Sequence, residues 1–173
     1  MKRIWAGEVR NVSLLVASAV NAEGHREILG ICEGAKEDKS GWSAFLRHLV
    51  DRDLSGVRLI ISDACLGLVQ SVVEYLPDAR WRRCMVHFYR NVFSHVPSVK
   101  MREVSHMLNA IHAQESRLAA QAKVDAVIGE LRGQRIARAA ELVETSIGET
   151  LTDLPWKKWS RLSKRIRLIQ TLT

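Results

Sequence analysis

Residues 12–20, Val-Ser-Leu-Leu-Val-Ala-Ser-Ala-Val, carry no charge and are rich in β-branched and small apolar side chains. Such a run is a buried strand, and it needs a partner strand and a cover. The turn signal Asn21-Ala22-Glu23-Gly24 follows it, and Glu27-Ile28-Leu29-Gly30-Ile31-Cys32 is short and apolar enough to return antiparallel. The cover comes next. Ser40 stands where it can cap a helix, and Trp42, Phe45, Leu46, Leu49 and Val50 recur at the i, i+3, i+4, i+7, i+8 spacing of one helical face. Leu54-Ser55-Gly56 breaks that helix. Val57-Arg58-Leu59-Ile60-Ile61-Ser62 reads as a largely buried strand ending at Asp63. A second helix follows, with Leu68, Val69, Val72, Val73 and Leu76 inward and Pro77 as its stop, and then a short strand. Hairpin, helix, strand, helix, short strand is a mixed α/β order, in which functional groups collect at strand carboxyl ends. From Val99 onward the pattern is helical and Ala-rich, over residues 104–112, 117–131 and 136–151, with Gly133 and Gly148 as weak breaks. No internal repeat of about 20–50 residues and no low-complexity tract occurs.

The chain has 173 residues, 47% of them apolar and 26% charged. That is the makeup of one ordinary globular domain, or of one domain with an appendage, and it excludes collagen, a long disordered tract and a Gly/Ser linker. Its apolar stretches fall short of the roughly 20 residues that cross a bilayer. Glu8 and Arg10 interrupt the N-terminal region before any signal-peptide core forms, which predicts a cytoplasmic protein without a membrane partner. Cys32, Cys65 and Cys84 are odd in number and scattered, so reduced thiols are expected.

The charge is segregated. Residues 80–102 hold six basic side chains (Arg80, Arg82, Arg83, Arg90, Lys100, Arg102) and no acidic one. Residues 154–173 hold six more (Lys157, Lys158, Arg161, Lys164, Arg165, Arg167), again with none acidic. Elsewhere 14 basic residues face 19 acidic ones, so the net +7 comes wholly from these two segments. Either they bind a polyanion such as DNA, or they are solvated basic faces.

Asp63 ends a buried strand and so is held rigidly at a sheet rim. A carboxylate there either ligates Mg²⁺, a hard cation that takes one or two carboxylates with phosphate oxygens and waters, or caps the helix starting near Cys65. Cys84-Met85-Val86-His87 has the spacing of half a zinc site, but the other half is missing. His87, among Trp81, Phe88 and Tyr89 and with Arg82, Arg83 and Arg90 nearby, either meets a sugar-phosphate backbone or is a packed core histidine. The segment from Pro155, with Trp156, Trp159, Leu162, Ile166 and Ile169 at helical intervals and cations between, reads as a basic amphipathic helix. Packing on its own domain, an anionic membrane and a partner groove are its three options. Dinucleotide, P-loop and zincin motifs are absent.

Four strings, Gly7-Glu8-Val9-Arg10-Asn11-Val12-Ser13, Val20-Asn21-Ala22-Glu23-Gly24-His25-Arg26-Glu27-Ile28-Leu29-Gly30, Leu59-Ile60-Ile61-Ser62-Asp63-Ala64-Cys65-Leu66-Gly67-Leu68 and Trp81-Arg82-Arg83-Cys84-Met85-Val86-His87-Phe88-Tyr89-Arg90-Asn91, occur in this order. Together they resemble the prokaryotic Mutator-type insertion-sequence transposases, over about residues 5–152. The resemblance implies a ribonuclease H-like catalytic core with an Asp, Asp, Glu triad that holds Mg²⁺, a helical insertion between the second Asp and the Glu, DNA as partner, and a homo-oligomer. Asp63 matches the second Asp, and Cys84 and His87 match the C-x-x-H signature near the active site. The implied domains are a partial core over 1–97, the insertion over 98–152 and a divergent basic tail over 153–173. Two departures stand out. No Asp precedes Asp38, and no acidic residue follows Asp153, so the first Asp and the final Glu have no counterpart. The expectation is an incomplete core lacking its first strand, and a chain that by itself neither nicks DNA nor joins strands. The alternatives are a non-catalytic DNA-binding or subunit-interaction remnant using Arg82, Arg83 and Arg90, and a fragment that does not fold stably.

Overall fold

The computed structural model describes residues 2–5, 8–11, 13–21, 24–34, 38–151 and 170–172. They form two compact units, one running to Arg82 and including the C-terminal strand, the other beginning at Arg83.

The first unit is α/β. Strands β1 (Lys2–Trp5) and β2 (Glu8–Asn11) form an antiparallel ribbon. Strands β3 (Ser13–Val20) and β4 (Arg26–Gly34) form the hairpin that the sequence predicts, with a register shift after Ala17. Strand β7 (Gln170–Leu172) pairs antiparallel with β3, so the sheet order is β4-β3-β7. Helix α1 (Lys39–Val50) covers one face: Trp42, Phe45, Leu46 and Leu49 pack with Leu15 and Ala17 of β3, whereas Val50, expected on the same face, is exposed at the last turn. Its cap is Asp38 rather than Ser40, because extended backbone at Asp38 lets Oδ1 accept from the Gly41 N–H at 2.9 Å. The helix also stops earlier than the Leu54-Ser55-Gly56 break. Asp53 adopts φ +66°, which an Asp tolerates, and Leu54 N–H closes onto Leu49 C=O at 3.1 Å.

Strand β5 (Leu59–Ser62) is shorter than the predicted 57–62, being the part buried at all four positions. It forms a two-stranded sheet with β6 (Arg80–Arg83), and Arg80 N–H bonds Arg58 C=O at 3.0 Å just outside β5. Helix α2 (Leu66–Tyr75) ends before Pro77 as expected, but it is rotated from its predicted face. Leu68, Ser71, Val72 and Leu76 are buried, whereas Val73 is 70% exposed and Val69 half-buried. Small residues cause the rotation. A Cβ on Gly67 would lie 2.6 Å from the Lys39 nitrogen, so only glycine lets α2 approach the start of α1 this closely. Behind it, the Ser71 hydroxyl donates to Gly67 C=O at 2.8 Å and lies 2.9 Å from Ser43 Oγ, satisfying its buried oxygen.

The second unit is all helical: α3 (Met85–Phe93), a 3-10 turn (Ser98–Lys100), α4 (Met101–His112), α5 (Arg117–Gly133), α6 (Ala137–Ser146) and a final 3-10 turn (Ile147–Thr150). Its core runs through Phe88, Val92, Val104, Leu108, Ile111, Val124, Val127, Leu131 and Val143. Fully buried Ala120, Ala139 and Ala140 leave room for close helix packing. Ser116 caps α5 through the Ala119 N–H, and Arg135, at φ +61°, turns the chain from α5 into α6. The predicted basic amphipathic helix from Pro155 to Ile169 lies outside the described residues.

Candidate functional site

Asp63 follows four buried residues and emerges exposed at the carboxyl end of β5. Its backbone is pinned from below. Trp81 Nε1–H, on β6, donates to Ser62 Oγ at 2.9 Å, and the Ser62 hydroxyl donates to the Asp63 carbonyl at 2.8 Å. Ser62 itself is only 2% exposed. The Asp63 carboxylate accepts from the Ala64 N–H at 2.8 Å through Oδ1. It does not cap α2. Cys65 occupies the cap position with no side-chain cap bond, so the capping role considered for Asp63 is replaced by a local turn contact. What remains is a rigidly carried carboxylate at a sheet rim.

Mg²⁺ bound by a carboxylate trio needs further ligands. Among the described residues no three His, Cys, Asp or Glu side chains converge. Asp63 fits as one ligand of such a trio, and the described residues do not assemble the rest. The same holds for zinc: Cys84 and His87 have no further ligands beside them among the described residues.

The second unit carries Cys84, His87, Arg83 and Arg90. Cys84 is the N-cap of α3, without a side-chain cap bond, and His87 lies in its first turn, so the C-x-x-H pair brackets one helix end. His87 is half-buried, and its Nδ1 is buried without a hydrogen-bond partner among the described residues. Arg83 is 7% exposed; its Nη1 pairs with Glu149 Oε2 at 3.1 Å, and its guanidinium lies over the Phe88 ring at 5.4 Å. Arg82, at the end of the first unit, is 3% exposed. Of the three arginines assigned to DNA by sequence, Arg90 on α3 is the exposed one. A buried guanidinium stacked on Phe88 and paired with a carboxylate is committed within its own unit.

Sequence reasoning missed a polar relay in this unit. Tyr89 Oη lies 2.9 Å from His112 Nδ1, His112 Nε2 lies 2.9 Å from Thr150 Oγ1, and the Thr150 hydroxyl donates to Ile147 C=O at 2.6 Å. His112 Nδ1 also lies 3.2 Å from Leu108 C=O, so this nitrogen faces both the Tyr89 hydroxyl and a backbone carbonyl of its own helix. Burial pushes the Tyr89 phenol far above its ordinary value of 10.0. The relay ties α3 and α4 to the last 3-10 turn. Its members are 23 and 38 residues apart, so no local spacing announces it.

No helix among the described residues is long and apolar enough to cross a membrane. The family model for the Mutator-family transposases matches residues 2–166. The chain is 39% identical over 159 residues to the transposase of insertion sequence element IS1081 from Mycobacterium tuberculosis, covering 91% of this chain and 38% of that protein. It is 35% identical over 147 residues to the ISRM5 transposase of Rhizobium meliloti, covering 85% and 37%. To the IS256 transposase in transposon Tn4001 of Staphylococcus aureus it is 37% identical over 89 residues, covering 51% and 23%. The chain therefore spans about two fifths of the length of the first of these relatives. With a family match over residues 2–166 and relatives 35% and 39% identical over most of its length, this chain belongs to the Mutator family of transposases.

Proposed function

We propose that this chain is the part of an insertion-element transposase that carries the middle acidic residue, Asp63, of a metal-binding carboxylate trio within a ribonuclease H-like core. Residues 98–152 are then the helical insertion of that core, and DNA is the partner. The observation that supports this reading is the station of Asp63: a carboxylate at the carboxyl end of a fully buried strand, its backbone held by the Trp81–Ser62 pair. Cys84 and His87, at the start of α3, are read as the family's C-x-x-H signature and as catalytic candidates with Asp63. Arg90 is the DNA-facing cation, because it is exposed where Arg82 and Arg83 are buried.

The intact trio would bind Mg²⁺, whose chemistry is to activate a hydroxyl nucleophile and stabilise the leaving oxygen of a phosphodiester. One carboxylate does not assemble that centre, so no catalytic step is assigned to this chain alone. It works in the cytoplasm, where its DNA is, and the whole transposase acts as a homo-oligomer. The test is a nicking assay on supercoiled DNA in Mg²⁺ with the wild-type chain and Asp63→Ala. Neither is expected to nick. Mg²⁺-dependent cleavage lost in Asp63→Ala would overturn the reading that the chain lacks the rest of its trio.

DNA binding without catalysis is the second reading, favoured by the confinement of net positive charge to two segments. Its mark is an affinity for duplex DNA that falls steeply with salt as bound counterions are released. An affinity indifferent to salt contradicts it.

A further inference from the structure

The helices of the second unit divide by charge. From Met85 to His112 the chain carries Arg90, Lys100 and Arg102 against a single acid, Glu103, whereas from Ala113 to Leu151 six acids face five cations. Two of those later cations are spent within the unit: Arg132 pairs with Glu144 at 2.7 Å and Arg138 with Glu141 at 3.8 Å. The earlier arginines differ. Arg90 and Arg102 are exposed, and their side chains make no ion pair or hydrogen bond among the described residues. Glu103 is drawn aside, its Oε1 accepting from Gln134 Nε2 at 2.6 Å. On α4 the buried stripe is Val104, Met107, Leu108 and Ile111. Arg102, His106 and Asn109, at i, i+4 and i+7, line up on the exposed side over about 10 Å of helix, and no acid stands among them.

We propose that this exposed stripe of α4 is a duplex-DNA contact surface, with Arg102 on a phosphate and His106 and Asn109 hydrogen-bonding within the groove. The proposal rests on the reading that DNA is the partner, and it names the helix that meets it. Charge is the first support. An exposed guanidinium without a carboxylate partner, on an acid-free helix face, is suited to neutralise a phosphate. Presentation is the second. Val104 and Leu108 share a core with Phe88 and Val92 of α3, so α4 is braced from behind and carries its polar stripe on a rigid element. Shape is the third: a single helix enters the B-DNA major groove, about 12 Å wide, whereas the deep, narrow major groove of duplex RNA excludes it. The same packing argues against a membrane. Val99 and Met101 are 89% and 41% exposed at the head of α4, but the remaining apolar side chains of the helix are spent on the core, which leaves no apolar face to insert.

Fluorescence anisotropy of the full chain on a labelled DNA duplex, repeated across a salt series, tests this. Arg102→Ala should lower the slope of log affinity against log salt by about 1, whereas Arg138→Ala, which removes the same charge from α6, should leave it unchanged. In amide spectra of the wild-type chain the duplex should shift residues 102–109 more than residues 137–146, a readout that needs no variant and decides the matter should Arg102→Ala misfold. Equal slopes for Arg102→Ala and Arg138→Ala, or shifts centred away from α4, would overturn the proposal. If Arg90→Ala lowers the slope and Arg102→Ala does not, DNA binding stands and α4 is not its surface. If the wild-type chain shows no salt-dependent binding at all, the DNA reading fails and the proposal falls with it. Tighter binding to duplex RNA, or to anionic phosphatidylserine vesicles, would assign the face to another partner and equally overturn it.

Discussion

Alanine at Gly67 and alanine at Gly129 should change stability in opposite directions, and the structure sets both signs. At Gly67 a Cβ would lie 2.6 Å from Lys39 N, 2.8 Å from Asp38 C and 3.0 Å from Lys39 Cα. All three are backbone atoms, so no side chain can swing aside. Ordinary contact begins near 3.4 Å, and reaching it means moving α2 off the start of α1 by about 0.8 Å. Overpacking of this kind costs about 1–3 kcal/mol. The shift also stretches the 2.9 Å Ser43–Ser71 contact, worth about 1 kcal/mol. Alanine's better helix propensity returns about 1 kcal/mol. The net expectation is a loss of about 1–3 kcal/mol in the first unit. Gly129 lies exposed in α5, and nothing stands within 4 Å of a Cβ placed there. The same substitution then keeps only the propensity gain, about 1 kcal/mol of added stability in the second unit. Urea unfolding of each variant, followed by far-ultraviolet circular dichroism, reads the two shifts against wild type. A Gly67→Ala chain as stable as wild type, or shifts of the same sign for both variants, would refute the packing argument.

Three further outcomes are expected. Removing Glu149 with Glu149→Ala leaves the buried Arg83 guanidinium without its carboxylate; because the Glu149 side chain is 43% exposed and water can partly replace it, the loss should be about 1–2 kcal/mol by urea midpoint, and no loss would show the pair to be idle. The fold holds the Tyr89 phenol neutral, with its pKa raised above the ordinary 10.0, so that stability is whole below about pH 10 and drains away as pH rises beyond it. Tyr89→Phe should give up about 1 kcal/mol at neutral pH with the His112 bond, yet lose less than wild type between pH 9 and 11.5; parallel alkaline losses would contradict this. Finally, Arg90→Ala should lower the slope of log affinity for duplex DNA against log salt by about 1, the signature of one lost phosphate contact, whereas an unchanged slope would remove Arg90 from the interface.

The α1 face and the β3–β4 hairpin were legible because their signals are local: an apolar stripe of period 3.6, and two apolar runs around Asn21-Ala22-Glu23-Gly24. Helix α2 was not, since Val69 and Val73 looked like core on periodicity alone. Its true contact face is set by Gly67 and Ser71, whose smallness matters only once the start of α1 lies against them. The start of α3 could have been read from Phe88, Val92 and Val96, an i, i+4, i+8 stripe that becomes core. The fate of the arginines could not. Counting charge places Arg82, Arg83 and Arg90 in one basic stretch, but Arg83 is committed to Glu149, 66 residues away, and only tertiary structure separates a buried cation from an exposed one. At the candidate site, the rim position of Asp63 followed from the apolar run before it. The Trp81–Ser62 support did not, because it joins two strands 19 residues apart.

The central claim is that the Asp63 carboxylate is presented at the rim of the sheet as a metal ligand. The most direct test is paramagnetic broadening by Mn²⁺, a spectroscopic stand-in for Mg²⁺, followed in the amide resonances of the full chain. Weak, low-affinity broadening centred on residues 62–64, as a single carboxylate gives, and abolished in Asp63→Asn is the predicted result. Resonances around Asp63 that stay sharp, or broadening that persists in Asp63→Asn, would contradict it.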